Sequence, residues 1–212
     1  MKLVSVNVSL PKRVEYEGRH VTTGIYKEPV AGRVRVGAHN VEGDGQADLS
    51  VHGGSHKAVH AYDLESYEYW QEELGRDDLG HGHFGENFTV RGMTDDSVYI
   101  GDTFRIGTAL FEVSGPRTPC YKLEMKMGLP GFSRKFVRSG RSGFYFRVLE
   151  EGEVGAGDPV ERVKVGPEQV SVREFVHTFY FDKDNREKIQ QILRIPSIPP
   201  GWRRTFEKIS HS

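Results

Sequence analysis

The sequence contains very little cysteine: Cys120 is the only one in a chain of 212 residues. One thiol cannot form a disulfide within the chain, and it cannot supply the four thiolates of an ordinary iron–sulfur cluster. Such a composition is typical of a reducing compartment. We therefore expect a cytoplasmic protein that has no iron–sulfur cluster of its own.

The chain also lacks an excess of charge of one sign, since it has 29 basic and 30 acidic residues and a formal net charge of −1. No overall basic field is available to attract nucleic acid, so any anion site must be a local cluster of basic groups. Nucleic acid is therefore not expected as a partner.

Long apolar runs are absent as well. Ser5 and Asn7 interrupt the apolar residues at the N-terminus, which leaves no continuous signal-peptide core. No other segment is long and apolar enough to span a bilayer. A membrane is therefore not expected as a partner either.

What the sequence does contain is a series of short strand patterns. With 36% hydrophobic residues the chain can build the core of one good-sized domain, or of one domain with a small appendage. Short strands separated by glycine turns are typical of a barrel or sandwich. The predicted strands fall at residues 4–10, 21–26, 33–36, 98–100, 103–106, 109–114, 144–148 and 160–165.

One of these strands carries two basic residues on a single face. Arg33 and Arg35 alternate with Val34 and Val36, so both arginines point away from the buried side. They could bind an anion together. A solvated outer face explains the pattern at least as well.

The composition changes at Gly166-Pro167, and the remaining residues follow helical patterns. Ser171 with Glu174, and Asp184 with Glu187, have the spacing of capping boxes. We predict three short helices in 166–212, after a β-rich domain in 1–165. Because such a unit is too small for a large core of its own, it should pack on the β-rich domain or on a second copy, as in a homodimer. The expected contacts are Phe175, Phe179, Ile192, Trp202 and Phe206.

A glycine turn precedes another helical pattern. Gly53-Gly54-Ser55 leads into apolar residues at helical spacing, beginning at Val59 and ending before Gly75. A helix start after such a turn would expose backbone N–H groups to an anion, with His52 and Lys57 beside it. An ordinary loop with a serine N-cap is the alternative.

Three histidines, His52, His56 and His60, recur at four-residue spacing, which raises the question of a metal site. No carboxylate completes the His-Glu-x-x-His arrangement, and no second cysteine offers a zinc-type ligand set. Solvated or core histidines explain His56 and His60 better.

The single cysteine lies in the segment 115–123, between Arg117 and Lys122. These cations, together with a helix start at Pro119, would favour the thiolate, which is the form that acts as nucleophile or metal ligand. The alternative is a small buried hydrophobic residue, as most lone cysteines are. The flanking polar residues make an apolar core position less favourable.

Several motifs in this order resemble the MOSC domain, which is named after the C-terminal part of eukaryotic molybdenum cofactor sulfurases. The match covers most of residues 25–165. The tail resembles the three-helix extension of stand-alone bacterial MOSC proteins linked to resistance to N-hydroxylated purine analogues. The matching motifs are Asp48 with His52-Gly53-Gly54 and Lys57-Ala58-Val59, Gly85-Glu86-Asn87, Ile100-Gly101-Asp102, Arg117 to Leu123, Gly143 with Tyr145 and Arg147-Val148, and Gly157-Asp158.

The resemblance implies an α+β fold, with a β-rich, barrel-like MOSC domain and a small C-terminal three-helix unit. It also implies a molybdenum cofactor of the molybdopterin type, with Cys120 as catalytic residue and molybdenum ligand. Thiolate is a soft ligand that suits such a centre. The implied cofactor-binding residues are His52, Gly53, Gly54, Lys57, Asn87, Arg117 and Lys122.

The function implied is an oxidoreductase that reduces N-hydroxylated purine bases or related compounds. A separate reductase would supply the electrons, since the chain has no cluster of its own. One alternative is a sulfur carrier that uses a Cys120 persulfide, and another is a non-catalytic module that binds or delivers the cofactor. The extra N-terminal β-domain of animal reductases and the pyridoxal-phosphate domain of the sulfurases have no counterpart here, so no pyridoxal phosphate is expected.

Overall fold

The computed structural model describes residues 1–47 and 53–211. This part of the chain contains twelve strands and six helices, and Ser55–Lys57 forms a single 3-10 turn. The strands are β1 (Lys2–Val8), β2 (Lys12–Tyr16), β3 (Arg19–Thr23), β4 (Glu28–Pro29), β5 (Arg33–Val36), β6 (Val59–Asp63), β7 (Phe88–Arg91), β8 (Thr103–Ile106), β9 (Ala109–Pro116), β10 (Phe144–Glu150), β11 (Gly152–Gly155) and β12 (Val160–Lys164). The helices are α1 (Leu64–Leu74), α2 (Tyr121–Met127), α3 (Phe132–Ser139), α4 (Val172–Phe181), α5 (Arg186–Leu193) and α6 (Pro200–Ser210).

Eight strands form one sheet in the order β12-β8-β9-β10-β6-β7-β1-β4. Its neighbouring strands are antiparallel, except for the parallel pair β6 and β7. The two ends of the sheet approach each other, because Leu3 N donates to Asp158 O at 2.9 Å and Val160 N donates to Met1 O at 3.2 Å. The β-rich, barrel-like α+β fold predicted from the sequence is confirmed.

The core inside the curved sheet consists of apolar side chains from nearly every strand. Phe88, Phe104, Phe111, Phe144 and Phe146 are fully buried there. A second cluster lies on the other side of β6, where α1 and α3 pack around Trp70 and Phe136.

The prediction of a helix from Val59 is wrong for its first five residues. Val59 to Asp63 form the buried central strand β6, and α1 begins only at Leu64, where the Asp63 side chain accepts from Glu65 N at 2.9 Å. Every residue of β6 is buried, so the alternation that marks a half-buried strand is missing. The predicted end at Gly75 is confirmed by its left-handed φ of 61°.

Of two early strands, the one predicted over 33–36 is confirmed as β5, and the other differs in its bounds. The strand expected over 21–26 is β3, which begins at Arg19 and ends at Thr23. Arg33 and Arg35 lie on β5 and are exposed, and they pair at 3.0 Å with Asp158 and Glu151. These ion pairs compensate the charges of both arginines on an outer face of the protein. This agrees with the alternative of a solvated outer face and not with an anion site.

The three helices of the tail share the core of the sheet. Phe175 and Phe206 are fully buried and belong to the same cluster as the strand residues, and Trp202 lies over Gly115 of β9. The capping box of Ser171 and Glu174 is confirmed. The second helix begins one residue later than predicted, since Asn185 caps it by accepting from Lys188 N.

In the described part of the chain, no helix has the length and apolarity that are needed to cross a membrane.

Candidate functional site

A cavity opens beside Cys120, with an empty volume of about 680 Å³ that is partly continuous with solvent. It lies where the loop after β9 meets β6, β10 and the segments that follow β3 and precede β7. Five of the residues predicted from the sequence line it: Lys57, Asn87, Arg117, Cys120 and Lys122. The other described lining residues are Thr23, Gly24, Ile25, Lys27, Asp44, Gly45, Gln46, Ala47, His60, Gly85, Thr118 and Tyr145.

Cys120 lies on the loop between β9 and α2 and is partly exposed. Arg117 N donates to Gly143 O at 3.0 Å where the loop leaves β9, and Leu123 N donates to Cys120 O at 2.9 Å where α2 begins. The helix starts at Tyr121, two residues after the predicted Pro119. The thiol therefore belongs to a cavity wall, and the alternative of an apolar core position does not describe it.

Arg117 is a buried cation with unused hydrogen-bonding capacity. Its residue is 6% exposed, its Nη2 donates to Phe84 O at 3.3 Å, and its guanidinium lies 5.1 Å from the centre of the Phe136 ring. Its Nη1 is buried without a hydrogen-bond partner. Because an unpartnered buried donor is costly, this group suits an anionic or acceptor atom entering the cavity.

His60 and Tyr145 form the floor of the cavity beside Arg117. Their ring centres lie 5.3 Å apart, and His60 Nε2 is buried without a partner. Burial and then the charge of Arg117 hold the pKa of His60 well below its ordinary value of 6.5, so the imidazole is neutral at pH 7. Burial raises the pKa of Tyr145, which keeps its hydroxyl protonated. The floor therefore offers neutral polar groups.

Lys57 reaches the same floor from the 3-10 turn. Its Nζ lies 5.8 Å from the centre of the Tyr145 ring, and burial lowers its pKa from 10.5. With Arg117 and Lys122 it places three cationic side chains around the cavity, in addition to Lys27, which pairs with Asp44. The electrostatics of the site therefore favour an anion.

A buried hydrogen-bond network supports the cavity from behind. Asp44 pairs with Lys27 and also accepts from Asn87 Nδ2 at 2.9 Å. Asn87 Oδ1 accepts from His60 N at 3.1 Å. The amide of Asn87 is thus engaged at both ends within the protein, and it holds β6 and the Lys27–Asp44 pair in place.

The start of β10 is fixed by another buried carboxylate, Asp95. It accepts from Ser142 N at 2.9 Å, from Ser142 Oγ at 2.8 Å and from Gly143 N at 3.0 Å. Burial raises the pKa of Asp95 to about 6. Since Gly143 O accepts from Arg117 N, this carboxylate positions both Arg117 and the strand that presents Tyr145.

The glycine turn differs from its prediction. Gly53-Gly54 leads into the three-residue turn Ser55–Lys57 and then directly into β6, so no α-helix starts there. Neither glycine is among the described residues that line the cavity. His52 lies outside the described residues. Among the described residues of the predicted anion site, Lys57 lines the cavity and the two glycines do not.

Of the three histidines at four-residue spacing, the structure places His56 and His60, whereas His52 lies outside the described residues. No group of three or more His, Cys, Asp or Glu side chains with metal-binding geometry occurs among them. His56 is half-buried, with burial lowering its pKa, and His60 belongs to the cavity floor. Because His56 Nδ1 and His60 Nε2 are both buried without a hydrogen-bond partner, neither is the solvated or satisfied core histidine expected from the sequence.

Sequence reasoning missed four residues of the site: Lys27, Asp44, His60 and Tyr145. His60 was weighed as a metal ligand, although its signal is a histidine between two apolar residues of a buried strand. Tyr145 lies within the motif 143–148 that carried the resemblance. Lys27 and Asp44 come together across two loops, and no local pattern indicates that contact.

Comparison with known proteins identifies two family units in the chain. Residues 48–161 match the MOSC domain, and residues 170–208 match the YiiM-like, 3-alpha helix domain. The crystal structure of YiiM from Geobacillus stearothermophilus has a TM-score of 0.84 and 40% sequence identity, and the match covers 99% of this chain and 98% of that one.

Two curated relatives extend the comparison. The uncharacterized protein YflK of Bacillus subtilis is 43% identical over 206 residues, which covers 97% of this chain and 93% of YflK. A protein of Gibberella moniliformis named reductase is 39% identical over 146 residues, which covers 68% of this chain and 26% of that longer protein. The chain therefore belongs to the MOSC-domain family and carries the YiiM-like three-helix domain behind its MOSC domain.

Proposed function

We propose that this protein is a molybdenum-cofactor-dependent reductase of N-hydroxylated purine bases or related compounds, supplied with electrons by a separate donor protein. The proposal rests on one observation. Cys120 and Arg117, whose buried Nη1 has no hydrogen-bond partner, line the same cavity together with other cationic side chains. The relative of Gibberella moniliformis named reductase supports a redox activity.

The residues present fit a molybdopterin-type cofactor. Cys120 offers the soft thiolate that a molybdenum centre accepts. Arg117 Nη1 and His60 Nε2 are buried polar atoms without a hydrogen-bond partner, so both can bind polar atoms of the cofactor. Lys57 and Lys122 add positive charge that would attract its phosphate. When bound, the cofactor supplies the two-electron chemistry. The residues of this chain bind it, orient it and limit its contact with water.

The reaction must balance electrons and protons. An N-hydroxylated base, two electrons and two protons give the amine and water, as the N–O bond breaks and the nitrogen is reduced. The electrons come from the external donor protein. The protonated Tyr145 hydroxyl lies on the cavity floor and would hydrogen-bond the substrate's hydroxylamino group.

The test is expression in a host that makes molybdenum cofactor, followed by elemental analysis and an assay on an N-hydroxylated purine. Dithionite-reduced methyl viologen serves as the electron source. We expect stoichiometric molybdenum and reduction of the base, both greatly diminished in Cys120→Ala. Bound molybdenum without any reduction would instead support the non-catalytic binding module.

The sulfur-carrier alternative makes a different prediction for the same purified protein. A persulfide on Cys120 would appear as cyanide-labile sulfur without molybdenum. Cys120→Ala would abolish that signal, and the assay with methyl viologen would show no reduction of the base.

A further inference from the structure

The segment directly after Cys120 has an unusual charge. Residues 121–141 form α2 and α3 and contain six basic residues and one acidic residue, in a chain whose net charge is −1. The basic residues are Lys122, Lys126, Arg134, Lys135, Arg138 and Arg141. Positive charge is therefore concentrated on the two helices beside the cavity, while the rest of the chain is acidic.

The two helices form one unit with the Cys120 loop. Ser133 Oγ donates to Cys120 O at 3.5 Å. The only carboxylate of the segment, Glu124, accepts from Gly131 N at 3.2 Å and from Ser133 N at 3.1 Å, so it joins α2 to α3. Because Lys122 also lines the cavity, this unit borders the cavity opening.

The outer side of the unit is exposed. Arg134 and Arg138 are exposed and lie four residues apart on α3, a spacing at which like charges destabilise a helix. Among the described residues, neither has a carboxylate within 4 Å, whereas Lys135 pairs with Glu73 at 2.7 Å. Tyr121, next to Cys120, exposes 52% of its surface. Exposed aromatic and arginine side chains are enriched in protein-binding surfaces.

We infer that this α2–α3 basic face, defined by Tyr121, Arg134 and Arg138, docks an acidic electron-donor protein. The inference rests on the proposed function, because a reductase without a cluster of its own needs a donor that delivers electrons close to Cys120. The face adjoins the loop of Cys120, so a protein seated on it stands next to the cavity opening. Complementary charge accelerates such encounters and sets their orientation.

Nucleic acid is a less suitable occupant than a protein. The basic face is confined to two short helices, and the chain as a whole is slightly acidic. Binding of nucleic acid relies on many phosphate contacts spread over an extended basic surface. The exposed aromatic ring beside the cavity opening instead suits a compact protein contact.

The experiment uses the cofactor-loaded full chain and its charge-reversal variant Arg134→Glu/Arg138→Glu. Two acidic carriers serve as probes, reduced flavodoxin and a reduced plant-type ferredoxin. With at least one of them, we expect the variant to raise the KM for the carrier by roughly tenfold or more, because electrostatic steering is lost. For the wild type, that KM should also rise with salt as the charges are screened.

A matched control is Arg204→Glu/Lys208→Glu, which reverses two exposed cations at the same spacing on α6. Its KM for the carriers should equal that of the wild type. Methyl viologen needs no docking surface, so all three proteins should reduce the base equally with it. If methyl viologen supports no reduction in any of them, the proposed function fails, and the docking inference fails with it.

Three outcomes would overturn the docking inference alone while methyl viologen still works. One is an unchanged KM in Arg134→Glu/Arg138→Glu, and another is an equal rise of KM in the α6 control. The third is that neither acidic carrier donates electrons to the wild type. Tight binding of a 20-base DNA to the wild type, lost in the α3 variant, would assign the face to nucleic acid.

Discussion

Arg173 on α4 donates its backbone N–H to Asp95 O at 2.9 Å, and the Asp95 side chain in turn holds Ser142 and Gly143. Gly143 O accepts from Arg117 N in the Cys120 loop. A continuous series of hydrogen bonds therefore leads from the three-helix unit to the cavity. This arrangement gives the tail a role in positioning the site as well as in packing.

Asp95 predicts a pH dependence of stability. Burial raises its pKa from 3.8 to about 6 in the folded protein, so between these values the folded state binds more protons than the unfolded state. Its contribution to stability is full below pH 4 and is lost as the pH rises to 6. The total change is on the order of 3 kcal/mol.

Urea unfolding of the wild type and of Asp95→Asn at several pH values checks this prediction. The free energy of unfolding of the wild type should fall relative to that of the variant as the pH rises from 4 to 6. A difference that stays constant over this range would show that Asp95 is ionised in the folded state with an ordinary pKa.

The contribution of the tail to the common core can be measured with one side chain. Phe206 on α6 is fully buried against Phe175, with ring centres 5.0 Å apart. Phe206→Ala should lower the free energy of unfolding by about 3–5 kcal/mol. Phe181→Ala is the control, because Phe181 is 54% exposed and its removal should cost less than about 0.5 kcal/mol. Similar losses in both variants would contradict a shared core.

A chain truncated after Val165 tests the same interface more severely. Cofactor binding should survive if the barrel still folds. The structure now predicts that truncation exposes the apolar surface that Phe175, Trp202 and Phe206 cover. Light scattering and binding of an apolar dye should both increase. A soluble, monomeric product with unchanged dye binding would refute this.

How far the sequence predicts the fold depends on whether the signal is local. The capping box of Ser171 and the αL end of α1 at Gly75 depend on neighbouring residues, and both were found. Strand β6 was mistaken for helix because burial on both faces removes the alternation on which strand prediction relies. Local patterns therefore predicted where these elements begin or end. They did not predict that the most buried element, β6, is a strand.

In the candidate site, too, features that depend on neighbouring residues were predicted, and features that depend on long-range contacts were not. The motif around Cys120 placed Arg117 and Lys122 near the thiol, and both line the cavity. The Lys27–Asp44 pair depends on two loops that meet only after folding. The glycine turn was assigned to the anion because its composition allows close approach, but composition does not determine which way a turn faces. Its position relative to a bound cofactor remains a prediction.

Gly143 should be intolerant of any side chain. Its φ is +67°, and an added Cβ would lie 2.6 Å from Ala61 O and 2.7 Å from Tyr62 Cδ2. Gly128 is the matched control, since its φ is +66° and nothing lies within 4 Å of an added Cβ. We expect Gly128→Ala to cost about 1 kcal/mol for the left-handed backbone alone. Gly143→Ala should cost at least about 2 kcal/mol more, measured by chemical unfolding, and equal losses would show that the contact relaxes freely.

Removal of the thiol should separate function from folding. Cys120 is partly exposed on a loop, so Cys120→Ser should leave the melting temperature within about 3 °C of the wild type. Its molybdenum-dependent activity should be abolished, because serine does not offer the soft ligand that the centre requires. Thermal unfolding and elemental analysis check the two parts. A variant that fails to fold, yet still retains cofactor, would restore the interpretation of Cys120 as a structural residue.

The last prediction concerns which groups hold the anionic end of the cofactor. Arg117 has an unpartnered buried Nη1 in the cavity, whereas Gly54 has open space around it and is not among the described lining residues. Arg117→Met removes a charged donor but keeps an apolar side chain of similar length for Phe136. A lost charged hydrogen bond corresponds to roughly a tenfold to hundredfold weaker affinity.

The measurement is the molybdenum and pterin content of protein purified under identical conditions. We expect both to fall steeply in Arg117→Met and to fall less in Lys57→Ala, because Lys57 is less buried and its charge is partly screened by water. Gly54→Ala is the control for the turn and should retain the cofactor. Loss of cofactor from Gly54→Ala, with retention in Arg117→Met, would move the anion to the glycine turn while leaving Cys120 as the proposed molybdenum ligand.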